Sequence, residues 1–310
     1  MKWKHTLLID IDIFRPEMEN NIKKRITAVI VTYNPNEEKL GCIIDNISEQ
    51  VSSIIIIDNS STKLSLGIIA KDKVKYTPLG TNRGIAYAQN VGFLEAYKDS
   101  DFIITFDQDS NVSNTFINDL YSEYNRLIDA GVNHVACIGP SVINERDGKV
   151  YEKYFIGSNE VCECAFAVKS VISSGTLYPV DSFAYIGLNK AHWFIDSIDI
   201  EWCYRARSIG YQVIMTRNVT MLHNLGMDDK KLIGGKKINF GAPIRLYYVY
   251  RNWIFSLREP SFDLKYKLKI IINIPIKFCL FSTIAPKLER KKYMLKGIVD
   301  GFLGRGDKIS

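Results

Sequence analysis

Two carboxylates stand two positions apart in F-D-Q-D-S, Asp107 and Asp109, directly after the apolar run Phe102 to Phe106. Like charges this close repel unless a proton or a cation intervenes. A divalent ion would resolve the conflict, because Mg²⁺ and Mn²⁺ take oxygen ligands and keep coordination positions open for phosphate oxygens. The spacing alone is a weak signal, so its neighbours decide. A second acidic group follows in F-I-D-S-I-D-I-E, where Asp196, Asp199 and Glu201 fall at the start of a helical pattern. Carboxylates there can cap a helix or take a proton in catalysis.

Such groups need a frame. Ile26 to Val31 reads as a buried strand and Glu37 to Val51 as a helix, with Leu40, Ile43, Ile44, Ile47 and Val51 at helical spacing. A strand at Ile54 to Ile57, an irregular loop, a helix at Gly84 to Lys98 and a strand at Phe102 to Phe106 follow. A helix at Thr115 to Ala130 then ends at Gly131, before a strand at Val135 to Ile138. Strand alternating with helix implies an α/β fold, a mostly parallel sheet with helices on both faces, whose ligands collect at the carboxyl ends of the strands. Three such ends carry T-Y-N-P (Thr32 to Pro35), D-N-S-S (Asp58 to Ser61) and D-Q-D-S. Each could be an ordinary turn; three together make capping a less complete explanation. In T-N-R-G-I-A-Y-A-Q-N-V-G-F (Thr81 to Phe93) a helix start with free N–H groups beside Arg83 favours an anion. Beyond Asp199, the residues Ile200, Cys203, Tyr204 and Ile209 should form a buried helical face that Gly210 ends.

Composition narrows the class. The chain has 310 residues, 46% apolar and 24% charged, enough for a sizeable core. Six scattered cysteines fit reduced thiols in a cytoplasmic protein, with Cys162 and Cys164 sharing a packed strand face. The apolar stretch Leu7 to Phe14 is short and broken by Asp10 and Asp12, unlike a secretory signal. Residues 263–310 hold eleven Lys or Arg against four Asp or Glu, so +7 of the net +6 lies there and the remainder is near −1. Within this tail Lys269 to Phe281 mixes large apolar residues and lysines, the composition of a helix lying in a lipid interface, although an ordinary packed helix has the same composition. No nucleic-acid-binding motif is present, and no nucleic acid is expected as a partner. The expected domains are an N-terminal extension (1–25), a catalytic domain (26–255) and a basic amphipathic C-terminal helical segment (256–310). Deleting residues 263–310 is expected to abolish membrane association and leave the rest folded.

Taken in order, V-T-Y-N-P, I-D-N-S-S, N-R-G-I-A-Y-A-Q-N-V-G and F-D-Q-D-S, with I-S-S-G-T-L (Ile172 to Leu177) and the F-I-D-S-I-D-I-E-W-C-Y-R-A-R segment, resemble inverting family 2 glycosyltransferases of the GT-A fold. The likeness covers roughly residues 26 to 255 and is strongest to the bacterial rhamnosyltransferase branch, to which R-L-Y-Y-V-Y-R-N-W (Arg245 to Trp253) is also similar. The resemblance implies Asp199 as general base, with Asp196 and Glu201 as competing candidates and Glu201 better placed to orient the acceptor or an Arg. It implies Mn²⁺ or Mg²⁺ held by Asp107, Asp109 and His223. It also implies a nucleotide-sugar site of Thr32, Tyr33, Asp58, Asn82, Arg83 and Asp107. The donor expected is dTDP-rhamnose, with UDP-galactofuranose, UDP-galactose and UDP-glucose as alternatives. The acceptor is a saccharide, lipid-linked, in O-antigen, capsule or related polysaccharide assembly at the cytoplasmic face of the inner membrane; a homodimer is left open. Asn189 and Lys190 depart from the Asp-Glu that relatives often carry. Two readings of other classes stay beside this one, a nucleotidyltransferase and a non-catalytic membrane scaffold.

Overall fold

A computed structural model describes residues 24–145, 148–223, 229–231, 237–239 and 241–309. The expected N-terminal extension therefore lies, but for its last two residues, outside the described residues. Strand β1 (Ile26–Thr32) reads I-T-A-V-I-V-T, a near-continuous apolar run suited to a strand covered on both faces, and Ala28, Val29 and Ile30 are fully buried. Strands β2 (Ser53–Asp58) and β4 (Phe102–Asp107) are built alike. Between them β3 (Val74–Pro78) occupies what the sequence presents as irregular loop. It is an edge strand with no fully buried residue, so no apolar run announces it.

The remaining strands of the main sheet are β5 (Val135–Asn144), β6 (Asn159–Cys162), β7 (Ala165–Ala167), β8 (Leu177–Pro179) and β9 (Gln212–His223). The sheet order is β3-β2-β1-β4-β8-β5-β9-β7-β6. The first four strands are mutually parallel, as is β5 with β9, whereas β8, β7 and β6 run against their neighbours. Parallel character thus belongs mainly to the amino-terminal half. Cys162 and Cys164 do not share a strand face, since Cys164 lies in the β6–β7 turn with φ of 58°.

Because side chains alternate across a strand, each strand feeds two cores. Ala28, Ile30, Ile54, Ile56 and Ile104 meet α1 (Glu37–Ile47) and α4 (Phe116–Asp129). Val29, Ile55, Ile57 and Ile103 meet α3 (Ile85–Ala96), α5 (Val180–Ile186) and α6 (Ile198–Ser208), while the short α2 (Leu66–Ile69) precedes β3. Asn36 caps α1, its side chain accepting from the Lys39 N–H at 3.0 Å. Helix α6 stops at Ser208 and Gly210 turns the chain with φ of 90°, which leaves Ile209 outside the helix and 51% exposed; Trp202 fills the buried position instead.

The carboxyl-terminal helices α7 (Pro243–Arg258), α8 (Leu264–Phe281) and α9 (Lys287–Leu303) continue from the sheet. Helix α7 runs through the expected boundary at 255, and α9 packs along it. Gly297 and Gly301 let the two backbones approach: a Cβ on Gly297 would stand 2.4 Å from the Tyr247 carbonyl oxygen. Asp300, buried at the same contact, accepts from the Tyr247 hydroxyl at 2.9 Å. Deleting residues 263–310 would strip this contact and bare a buried carboxylate's partner, so a clean release of the tail is no longer expected. Gly297→Ala should lower stability by roughly 1–3 kcal/mol, because the methyl must push α9 away from α7. An unchanged denaturation midpoint would mean that the helices part at no cost. No helix among the described residues is long and apolar enough to cross a membrane.

Candidate active site

Thr32, Asp58 and Asp107 end three adjacent parallel strands, with Thr32 opposite Asp58 and Val31 opposite Asp107. The Asp58 carboxylate is fully buried. One oxygen accepts from the Thr32 hydroxyl at 2.9 Å and the Ser60 N–H at 3.0 Å, and the other accepts from the Tyr76 hydroxyl at 2.8 Å. Tyr76 comes from β3, the strand the sequence hides, and was not among the expected site residues. Asp58 thereby ties the ends of β1, β2 and β3 together. Tyr33 extends into solvent, and its backbone is stapled to the middle of D-Q-D: Gln108 accepts from the Tyr33 N–H at 2.7 Å and donates to its carbonyl at 3.4 Å.

The start of α3 differs from the open anion site its sequence suggests. Asn82 accepts from the Gly84 N–H at 3.0 Å, and the Ala86 N–H donates to the Phe194 carbonyl at 3.3 Å. Gly84 is required there, because its φ is 86° and a Cβ would meet the Phe194 carbonyl oxygen at 2.6 Å. Arg83 remains exposed, its guanidinium 4.8 Å over the Tyr87 ring. The contacts of Gly84 and Ala86 with Phe194 tie the start of α3 to the acidic F-I-D-S loop.

Asp107 is held from behind. Its N–H donates to the Ser174 hydroxyl at 3.1 Å, and Ser174 pairs with Ser110 at 2.7 Å. The Ser110 N–H closes a turn onto the Asp107 carbonyl at 3.1 Å, and Asp109 projects from that turn into solvent. Asn111 then bridges to Leu222, the residue before His223. The D-x-D turn and the end of β9 are thus neighbours along the backbone, while the His223 side chain lies outside the described residues. Among the described residues no cluster of three or more His, Cys, Asp or Glu is assembled as a complete metal cage.

Three residues in the loop before α6 are strained. Phe194, Asp196 and Ser197 have φ of 63°, 68° and 60°, a region that L residues with side chains rarely adopt and that costs about 1–3 kcal/mol each. The fold over-determines them through two fully buried side chains of α7. Asn252 donates from Nδ2 toward the carbonyls of Trp193, Ile195 and Asp196 at 3.0, 2.8 and 2.8 Å. Arg251 donates to the Trp193 carbonyl at 2.9 Å and to the Asp307 carbonyl at 2.6 Å. Arg251 of R-L-Y-Y-V-Y-R-N-W is thus a buried brace.

Its partner in that motif, Arg245, is exposed and forks onto Asp196, with contacts of 2.8 and 3.0 Å to one carboxylate oxygen. Glu201 is 1% exposed and both its oxygens are taken by Arg205 at 2.9 Å, with Lys190 3.6 Å away. It orients an Arg, one of the two roles expected of it. Asp199, in the first turn of α6, is different. Burial raises its pKa to about 6, opposed by the Ile200 N–H at 2.9 Å and reinforced by the charges of Asp196 and Asp107. A cavity of about 10 Å³ beside it, lined by Gln89, Ser173 and Asn189, is close to the space of one water.

The charges of Asp196 and Asp107 both help to raise the Asp199 pKa, and all three carboxylates act on Arg245, whose guanidinium Asp196 above all holds above the ordinary range. Asp107 and Asp109 stand two positions apart on one turn, an oxygen-donor pair of the kind a divalent ion takes. The two halves of the sequence have met at one site.

The fold and this site define a class, and the chain belongs to Glycosyl transferase family 2, which matches residues 27–185. It is a glycosyltransferase. It is 30% identical to the dTDP-rhamnosyl transferase RfbF of Shigella flexneri over 91% of this chain and 97% of that one. It is 21% identical to the low-salt glycan biosynthesis hexosyltransferase Agl10 of Haloferax volcanii over 73% of each. Among solved structures, S. aureus TarS in complex with UDP-GlcNAc aligns with a TM-score of 0.60 at 14% identity, over 91% of this chain and 81% of that one. GalNAc-T7 with UDP, GalNAc and Mn²⁺ aligns with a TM-score of 0.53 at 14% identity, over 84% of this chain and 58% of that one. Both likenesses show the GT-A fold.

Proposed function

We propose that this chain transfers L-rhamnose from dTDP-rhamnose, with inversion, to a lipid-linked saccharide during assembly of an O-antigen, capsule or related cell-surface polysaccharide. The reading of the donor is carried by the similarity to RfbF across nearly the whole of both chains. The reading of the chemistry rests on Asp199, whose carboxyl burial above all, with the Asp196 and Asp107 charges, raises to about 6.

In a single displacement the acceptor hydroxyl attacks the anomeric carbon as its proton leaves. Asp199 accepts that proton; its raised pKa makes it a stronger base than an ordinary carboxylate while leaving it ionised at neutral pH. Asp196 is occupied by Arg245 and Glu201 by Arg205, which leaves Asp199 the base. Asp107, Asp109 and His223 would hold Mn²⁺ or Mg²⁺, which when bound supplies charge stabilisation to the departing nucleoside diphosphate. Thr32, Tyr33, Asp58, Asn82 and Arg83 would frame the nucleotide, with Asp58 and Asn82 acting mainly by fixing the backbone around it. The exposed apolar residues and lysines of α8 and α9 support peripheral attachment to the cytoplasmic face of the inner membrane.

Calorimetry with dTDP-rhamnose, UDP-galactose and UDP-galactofuranose, each with and without Mn²⁺, tests the donor. Tight metal-dependent binding of dTDP-rhamnose is expected; preference for a uridine nucleotide would keep the fold and mechanism and overturn the rhamnose assignment. Asp109→Ala should remove the metal dependence of donor binding, weakening it about tenfold or more through loss of one charged ligand. Unchanged affinity with Mn²⁺ present would take Asp109 out of the site.

A further inference from the structure

Gln89 is a polar residue in an apolar place. It is 5% exposed on α3, one turn before Phe93, and a buried amide is costly unless it is hydrogen-bonded. Both of its ends are bonded: Oε1 accepts from Asn189 Nδ2 at 2.9 Å, and Nε2 donates to the Ser173 hydroxyl at 3.2 Å. Asn90, the next residue, clamps the Asn189 backbone, donating to its carbonyl at 2.8 Å and accepting from its N–H at 2.9 Å. Ser173 is fixed in turn. Its carbonyl accepts from the Thr105 hydroxyl of β4, and Ser174 beside it receives the Asp107 N–H.

Gln89, Asn189 and Ser173 line the cavity of about 10 Å³ that Asp199 also lines, and aromatic rings close the rest of it. That volume is at the lower limit for one water, which is held where about two to four polar groups meet it. The three side chains bring donors to this space. The Gln89 and Asn189 amides each carry a second N–H beyond the bonds named, and Ser173, which accepts from Gln89, has its own O–H to give. An ionised Asp199 is acceptor only, and one of its oxygens receives the Ile200 N–H at 2.9 Å. Donors on one side of a water-sized space and a carboxylate on the other match the ionised state of Asp199.

Resting on the reading of Asp199 as base, we propose that Gln89 and Ser173 are positioning residues: with Asn189 they donate through one enclosed water to the Asp199 carboxylate and hold it ionised, in one orientation, for the acceptor hydroxyl. Hydrogen bonds to the charged form favour that form, so the network opposes the burial that raises this carboxyl. The other titratable groups that act on Asp199 are Asp196 of its own loop, Asp107 at the end of β4, Arg245 of α7, and the phenols of Tyr154, Tyr178 and Tyr266. The variants that test the network leave all of them in place.

The test labels the Asp carboxyl carbons with carbon-13 and follows them by NMR against pH in the full chain; the Asp199 signal is the one that Asp199→Asn removes. In the wild type it should titrate at about 6. In Gln89→Met and in Ser173→Ala the midpoint should rise by about one pH unit, the size of one hydrogen bond to a charged group. The kcat inflection should rise with it, and kcat at neutral pH should fall about tenfold as the base loses its ionised, oriented form. Donor affinity with Mn²⁺ should stay equal, because the Ser174 bond to the Asp107 N–H is untouched. Melting temperatures verify folding, and Ser173→Ala, which removes a single hydroxyl, carries the test if Gln89→Met does not fold. A midpoint that stays put in a folded variant overturns the proposal, and a fall in kcat at that unchanged midpoint would mean that Gln89 and Ser173 only pack. A midpoint that moves while the kcat inflection does not leaves the network standing and sinks the reading of Asp199 as base.

Discussion

Asp199→Asn should bind the donor with unchanged affinity and lose about 10²–10⁴-fold in kcat, the usual contribution of a positioned general base. The substitution keeps shape and one hydrogen-bond acceptor for the Ile200 N–H, so the loss would report the missing proton acceptor. The pH profile gives an independent readout. With Asp199 at about 6 in the folded chain, kcat should climb as pH rises through that value and level off above it, and the Asn variant should lack this inflection. Stability should move the opposite way. The folded pKa lies above the ordinary value of 3.8, so the stability linked to this proton is fully present below about pH 4 and is lost as pH rises through about 6. At neutral pH the ionised, buried Asp199 therefore destabilises the fold by up to about 3 kcal/mol, and Asp199→Asn should melt higher than the parent. A variant that is more stable and nearly inactive marks a site where function opposes stability. Retained turnover would move the base to Asp196 or Glu201, despite their arginine partners.

Asn252→Leu is expected to cost roughly 3 kcal/mol of stability and, separately, to lower kcat by about a hundredfold with donor affinity little changed. The side chains are similar in volume, but leucine leaves the carbonyls of Trp193, Ile195 and Asp196 without the donor that holds them. Those carbonyls belong to a loop with three left-handed non-glycine residues, which relaxes once its brace is gone. Relaxation would carry Asp196 and the start of α6 with it, displacing Asp199 from the attacking hydroxyl. A denaturant titration reads the first effect and steady-state kinetics the second. Reduced stability with unchanged kcat would show that the loop keeps its shape without Asn252.

This brace also explains why the tail cannot be treated as an appendage. Arg251, next to Asn252, donates to Asp307, and the Asp307 N–H donates to the His192 carbonyl at 2.7 Å. The last residues of the chain are hydrogen-bonded to the shoulder of the acidic loop. Helix α9, seated on α7 through Gly297 and Gly301, holds the brace from the other side.

The sequence by itself determined the elements whose signal is local. The apolar runs of β1, β2 and β4, covered on both faces, and the periodic pattern of α1 announce themselves because burial dictates residue type at fixed spacing. It also determined that Thr32, Asp58 and Asp107 come to one edge, since parallel strands joined by helices leave their carboxyl ends together. The family pattern singled out Asp199 among several acidic residues. Tertiary structure alone decided the rest, for a shared reason: the deciding contacts join residues far apart in the chain. Tyr76 reaches Asp58 from an edge strand that has no apolar run to reveal it. Gln108, between the two acidic residues, proves to be a backbone staple, because its partner Tyr33 lies 75 positions away. Glu201 and Asp199 look equivalent as letters on one helix turn, yet Arg205 pairs with the first while burial, with the charges of Asp196 and Asp107, raises the pKa of the second. Nothing in R-L-Y-Y-V-Y-R-N-W marks Arg251 and Asn252 as braces, and only the packing of α7 against the loop shows that they hold it in a conformation it would not keep alone.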